Sequence, residues 1–333
     1  MMFLKKRGLI TLAGVLLLSF ALTACGGNNG NTGNTGNAGN TAAEEKVEPA
    51  EPQTKIFKDL KGEVEVPVNP ERIVSITHLG DLAALGVKPV GGGSLAMENS
   101  ILLKDELEGV ENVGDVDVEK VLALNPDLII VPSYFPAEDV EQLTKIAPTV
   151  TLATTGWEGI DPLEEVKTMG DLLGREKEAE EFITRYKEKA EEAKKKISEV
   201  IGPDETIGTY SIWANNFWVW PTTRDAGYNL YEMFGLKPLA KIEADAFTGT
   251  GIDISLEVLP DYAADHMFVT VYEPDGGAER AKEIMDGALW KNLPAAQNNH
   301  VYMLDMKEFW MVDGLNLEKQ VDILTDLIVS QNQ

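Results

Sequence analysis

The side chains in this chain best suited to chemistry are aromatic and basic, and they gather in a few places. Trp213, Phe217, Trp218 and Trp220 stand close together, with Arg224 just beyond, and all six tryptophans fall after position 150. The alternation Trp218-Val219-Trp220 puts both indoles on one face of a strand and leaves them beside Arg224. Indoles cover organic scaffolds, and a guanidinium is a planar, permanently charged fork of donors for oxygen ligands. That is the chemistry of holding a ligand. Further candidates stand where predicted strands end: His78, Ser133, Tyr134 and Trp157 in the first half, Tyr272, Phe309 and Trp310 in the second. In α/β folds, ligands bind at the carboxyl ends of strands. Trp290 sits in a phrase that reads as structural.

Other chemistries find less support. Capture of a bare Zn²⁺ or Mn²⁺ needs several converging histidines and carboxylates, and the chain has three histidines. His266 and His300 read as packing residues and only His78 is well placed, so no metal site is expected. There is no GxSxG, P-loop or HExxH, and no catalytic residue is assigned. Asp and Glu are plentiful, so a hydrolase built on a carboxylate pair is the alternative from a different class.

The elements that must position these residues are organised around one run, Arg175 to Ile201. Its apolar residues Ala179, Phe182, Ile183, Tyr186, Ala190, Ala193, Ile197 and Val200 recur in steps of three and four, the pattern of a one-faced α-helix. Glu181 with Arg185, Glu191 with Lys195 and Glu192 with Lys196 are spaced to pair across one turn. Gly174 precedes the run and Gly202-Pro203 ends it. The spacing predicts a stiff helix of roughly 40 Å, a strut between two lobes.

Before it, residues 54–174 read as an α/β lobe. Thr54 to Pro70 reads as a short strand or hairpin region, with Val64, Val66 and Val68 alternating, and strands are predicted over Arg72–Ile76, Val87–Gly92, Asp127–Val131 and Val150–Ala153. Helices are predicted over Leu82–Leu85 with Asp81 as cap, Val118–Leu124, Glu138–Ile146 and from Asp161-Pro162 to Leu173. After it, residues 202–333 repeat the pattern from Thr206. Glu119 precedes Asp127 by eight residues and Glu257 precedes Asp265 by the same step, and each aspartate opens a strand. One such offset on each side of the strut points to a pseudo-twofold molecule.

The first residues belong to neither lobe. Lys5, Lys6 and Arg7 precede an apolar stretch from Leu9 to Leu22, then Leu22-Thr23-Ala24-Cys25. Residues 1–24 read as a secretory signal. Cys25 is the single cysteine of the chain, and its setting resembles the lipobox of bacterial lipoproteins, which implies cleavage before it and lipidation of it. Residues 25–53 form a tether rich in Gly, Asn and Thr that turns acidic, unable to bury enough apolar surface to fold. The net charge of −26, more negative still without the signal, argues against nucleic acid or an anionic lipid surface as partner.

Several phrases together resemble the siderophore-binding lipoproteins of bacterial iron ABC importers, the class III, helical-backbone binding proteins. They are Pro70-Glu71-Arg72-Ile73-Val74, Leu82 to Gly91 (LAALGVKPVG), Val118 to Val131 (VEKVLALNPDLIIV) and Ile146-Ala147-Pro148-Thr149-Val150. Leu173-Gly174-Arg175-Glu176 with the strut, and Trp290 to Pro294 through His300-Val301-Tyr302, continue the match.

The resemblance implies two Rossmann-like α/β lobes joined by one long helix, with the ligand in the cleft between them. It implies a monomeric receptor on the outer face of a membrane that hands a ferric siderophore to a permease dimer with its cytoplasmic ATPase, without a cofactor of its own. Glu119 and Glu257 fall where the family docks on permease arginines. Arg224 falls, allowing a one-residue gap, where hydroxamate-binding members place an arginine on the ligand. The expected ligand set is Arg224, Trp218, Trp220, Tyr134, Trp310, His78, Trp157 and Tyr272. One prominent cation favours a hydroxamate. Ferric citrate or another carboxylate chelate, a catecholate, haem (with His78 or Met97 as an axial ligand) or a corrinoid remain the alternatives. Met311 and Val312 stand where other members carry tyrosines.

Overall fold

The computed structural model describes residues 53–332. The signal segment, Cys25 and the tether up to residue 52 lie outside the described residues. The chain enters through an antiparallel hairpin, β1 (Thr54–Lys58) and β2 (Glu63–Pro67), as the alternating valines predict. Five parallel strands follow: β3 (Ile73–Ser75), β4 (Gly91–Gly92), β5 (Glu111–Asn112), β6 (Leu128–Pro132) and β7 (Thr149–Leu152). Their order in the sheet is β5-β4-β3-β6-β7. β6 is buried along its whole length, which is why it reads as a continuous apolar run rather than an alternation. The strand predicted over Val87–Gly92 shrinks to its last two residues; Pro89 has no N–H to give a ladder.

Three helices of this half matter to the site: α1 (Leu79–Ala84), α2 (Val118–Ala123) and α3 (Pro162–Leu173). Asp161 caps α3 by accepting the Leu163 N–H at 2.8 Å, and Gly174, at φ 64°, ends it. The long run becomes α4 (Glu176–Ile197), with Ala179, Phe182, Ile183, Tyr186, Ala190, Ala193 and Ile197 buried along one face. At 22 residues it spans about 33 Å.

The second sheet has six strands: β8 (Thr206–Ile212), β9 (Phe217–Val219), β10 (Lys237–Pro238), β11 (Ile252–Asp253), β12 (His266–Val271) and β13 (Val301–Leu304). The path is β11-β9-β8-β12-β13, with β10 also on β8. β8, β12 and β13 run parallel, whereas β9 turns back antiparallel on β8. The fold is thus mixed α/β, two largely parallel sheets with a long helix between them in the chain.

The internal repeat has a physical basis. Asp127 accepts the N–H groups of Glu71 and Arg72 at 2.7 and 2.9 Å, and Asp265 accepts the Thr206 N–H and hydroxyl at 2.8 and 2.7 Å. In each sheet, an aspartate before one strand ties down the start of its neighbour.

Two expectations about charged residues fail. Among the described residues none of the three predicted pairs on the strut forms. Arg185 instead makes a two-pronged pair with Glu318 at 2.8 and 3.1 Å, and Lys189 reaches Asp322 at 2.7 Å. Both acids belong to the terminal helix α5 (Gly314–Gln331), which packs against α4, α1 and α3. A nearly buried carboxylate on another helix outcompetes an exposed neighbour one turn away.

Asp81 does not cap its own helix either, because α1 begins two residues earlier. Its Oδ1 accepts the Gly314 N–H at 2.9 Å, while Asp313 Oδ2 accepts the Gly80 N–H at 3.0 Å. The N-termini of α1 and α5 therefore exchange caps. Glycine is needed at both: a Cβ on Gly80 would stand 2.1 Å from Asp313 Oδ1, and one on Gly314 2.7 Å from the Gly80 carbonyl.

Candidate functional site

A cavity of about 300 Å³ is bounded by His78, Tyr134, Thr155, Gly156 and Trp157 on the first sheet's side and by Arg224, Trp310 and Met311 on the second's. A second cavity of about 680 Å³ adjoins, lined by Tyr272, Asp305, Lys307 and the same Trp310. Sites of this size and apolar character take drug-sized ligands. Five of the expected residues thus share the first cavity, and Tyr272 lies in the second. Trp310 is the wall common to both.

On the first side the walls are open rings. Trp157 is 60 % exposed and Tyr134 42 %, and they lie 5.3 Å apart at 49°. Trp157 stands on the short helix Thr155–Glu158 after β7, and Tyr134 is the second residue after β6. Ser133 is turned away into a hydrogen bond with Glu158.

The second side is layered. Trp213, after β8, stacks on Tyr272, after β12, at 4.3 Å, and on Trp310 at 6.5 Å. Behind this, Trp218 and Trp220 stack face to face at 4.9 Å and 5°. The predicted shared face is real, but neither ring lines either cavity; that correction follows from packing. Trp220 is buried, donates its indole N–H to Ser211 at 2.6 Å, and lies 5.6 Å beneath the Arg224 guanidinium. It supports the arginine and does not face the ligand space. Phe217 and Phe309 are buried in the core, Phe217 against Tyr210 and Trp290.

Arg224 has no ion-pair partner among the described residues, and its Nε is buried without any hydrogen bond. Its neighbour Asp225 is occupied with the hydroxyls of Ser211 and Thr270 at 2.8 and 2.7 Å. Burial pulls the guanidinium's pKa down, partly offset by Asp225 and Tyr134, and arginine remains charged through such shifts. The result is a cation held at the cavity wall with donors to spare.

His78 is the opposite case. It sits at the N-terminus of α1 with φ 60° and is 2 % exposed. Its Nδ1 is 3.0 Å from Asp81 and 3.2 Å from Glu165. Burial alone would lower its pKa, but the bonds to both carboxylates prevail and hold it at about 10. Burial pushes Asp81 up to about 6 against the pull of His78, and pushes Asp313 up to about 6 with help from the Asp81 charge. Sequence reasoning missed Glu165 and Asp313. The available signals were an acid on the apolar face of α3, between Leu163 and Val166, and an Asp-Gly pair opening a helix.

Glu119 and Glu257 are both exposed, each in the first turn of a short helix. Asp117 caps the first of these by accepting the N–H groups of Glu119 and Lys120.

Cavities with aromatic walls and an unpaired Arg224, between two sheets of an α/β fold bridged by a helix, are the architecture of a solute receptor. The chain belongs to the periplasmic binding protein family, which it matches over residues 73–308. That family consists of substrate-binding proteins, not enzymes. The chain is 38 % identical over 283 residues to the iron(3+)-hydroxamate-binding protein YxeB of Bacillus subtilis, covering 84 % of this chain and 86 % of that protein. It is 33 % identical over 331 residues to the iron(3+)-hydroxamate-binding protein FhuD of the same organism, covering 97 % of each. Among solved structures, it resembles FhuD2 of Staphylococcus aureus with bound ferrioxamine B, at 26 % identity and a TM-score of 0.70, covering 79 % of this chain and all of that one.

Proposed function

We propose that this chain is the extracytoplasmic receptor of an ABC importer and that it carries a ferric siderophore of the hydroxamate type. The observation that carries this reading is Arg224: a half-buried, unpaired guanidinium, its Nε buried without a hydrogen bond, at the wall of an aromatic cavity. The iron arrives already chelated, so the protein need supply only donors to the oxygen shell and surface for the organic scaffold. Arg224 does the first, and Trp157, Tyr134, Trp310 and Tyr272 do the second. The relatives named for iron(3+)-hydroxamate binding support the same ligand class. A tris-catecholate chelate, strongly anionic, would want several cations. The other basic side chain of the first cavity, His78, is already neutralised by Asp81 and Glu165.

In this reading Cys25 carries the lipid, residues 26–53 are the tether, and Glu119 and Glu257 meet the permease. The residues 54–174 and 202–333 act as lobes that α4 keeps from moving far. The test is a fluorescence titration of the protein with ferrioxamine B, ferrichrome, ferric citrate and a ferric tris-catecholate. The hydroxamates should quench the tryptophans at the lowest concentrations; preference for the catecholate would refute the ligand assignment. Replacing Glu119 and Glu257 together by alanine should leave that titration unchanged and lower uptake by cells.

A further inference from the structure

Two of the chain's three histidines meet at the opposite end of the second sheet, where the function described above gives them nothing to do. β8, β12 and β13 are adjacent and parallel, and each contributes one residue at its amino end: Glu205 just before β8, His266 at the start of β12, His300 just before β13. One ligand atom from each lies within 4.8 Å of the others. These strand starts are the edge remote from the loops that carry Trp213 and Tyr272.

We propose that Glu205, His266 and His300 form a binding site for a late first-row divalent cation of the Zn²⁺ class, separate from the cleft. His266 is fully buried, yet its Nε2 has no hydrogen-bond partner. Glu205 Oε1 stands 3.5 Å from it. Glu205 is itself anchored, because its other oxygen accepts the Gly202 N–H at 2.6 Å. The other imidazole nitrogen of His266 is 3.0 Å from the Tyr302 hydroxyl, which Asn332 also holds at 2.8 Å. With Nδ1–H donating to that oxygen, the Nε2 lone pair is left facing a carboxylate, an arrangement that a cation between them resolves.

His300 stacks on His266 at 4.1 Å and 10°, and its side chain makes no hydrogen bond among the described residues. Two parallel rings cannot both aim at one ion, so His300, which is partly exposed, must rotate to complete the set. Ligand atoms on a tetrahedral Zn²⁺ stand about 3.3 Å apart, with water as the fourth ligand of a two-histidine, one-carboxylate set. Imidazole nitrogens select this class of ion over Mg²⁺ and Ca²⁺.

The test is equilibrium dialysis of the full-length chain with Zn²⁺, beside His300→Ala and Glu205→Gln. One equivalent should bind, at least tenfold more weakly in each variant, and excess Mg²⁺ should not displace it. Ferrioxamine B titrations should be the same with and without Zn²⁺. With only three histidines in the chain, imidazole NMR gives an independent reading: two ring signals should move on Zn²⁺ addition while that of His78 stays. Weak, multiple binding that both variants retain, or a shift confined to His78, would overturn the proposal, as would no binding at all.

Discussion

The cavity has a basic side chain on each of its two sides, and they differ in everything but sign. His78, on the first side, shares one nitrogen between two buried carboxylates. Arg224, on the second, has an aspartate next to it in the chain, yet that aspartate is turned to two hydroxyls and the guanidinium is left unpaired. A charge surrounded by acids belongs to the scaffold, and a charge without a partner is available to a ligand. His78 joins α1 to α3 and sits beside the cap exchange with α5, whereas Arg224 rests on an indole and faces open space. Counting cations along the sequence treats the two alike, and only their partners separate them.

The largest effect should come from removing the cation paired with acids. His78→Ala would leave Asp81, Glu165 and Asp313 buried without a counter-charge, a loss of about 3–5 kcal/mol by urea unfolding. The sign of its pH dependence follows from the shifts. The His78 pKa is raised from 6.5 to about 10, so its contribution is full below 6.5 and fades as the pH rises through 10. Asp81 and Asp313, raised to about 6, favour the folded state increasingly as the pH falls through 6 toward their ordinary value of 3.8. The variant's deficit should therefore be larger at pH 5, where the imidazole's contribution is full, than at pH 8, where part of it has faded; an equal deficit at both would mean the folded protein does not hold the imidazole charged above its ordinary range.

Arg224→Gln comes next and should behave in the opposite way. Loss of charge-assisted bonds worth about 1.5–3 kcal/mol predicts a drop in ferrioxamine B affinity of ten- to a hundredfold, with the unfolding midpoint unchanged. A shift in stability without a change in affinity would make Arg224 another scaffold residue. Trp310→Ala removes the wall shared by both cavities and part of the stack with Trp213 and Tyr272. Roughly tenfold weaker binding is expected, read in the same titration. Trp220→Phe is the mildest. It loses the indole bond to Ser211 but keeps a ring under the guanidinium, so stability should fall by about 1 kcal/mol and affinity by less than threefold.

Much of this was legible in the residues. The long helix α4 declared itself by period, the α/β character of the two sheets by alternating elements, and the places of Tyr134, Trp157 and Tyr272 on the cavity walls by standing where strands end. What stayed hidden has physical causes. A period of two says that Trp218 and Trp220 share a face, but not which face looks toward the ligand. Glu165 and Asp313 take their meaning from His78 and Gly80, partners far away in the chain. Arg185 could be matched to Glu181 by spacing, because the competing Glu318 comes from a helix more than a hundred residues later.

The most direct measurement is a crystal structure of the protein with ferrioxamine B. The account predicts Arg224 donating to oxygens of the chelate, with His78 still between Asp81 and Glu165. A chelate resting on His78, with Arg224 folded back onto Asp225, would contradict it.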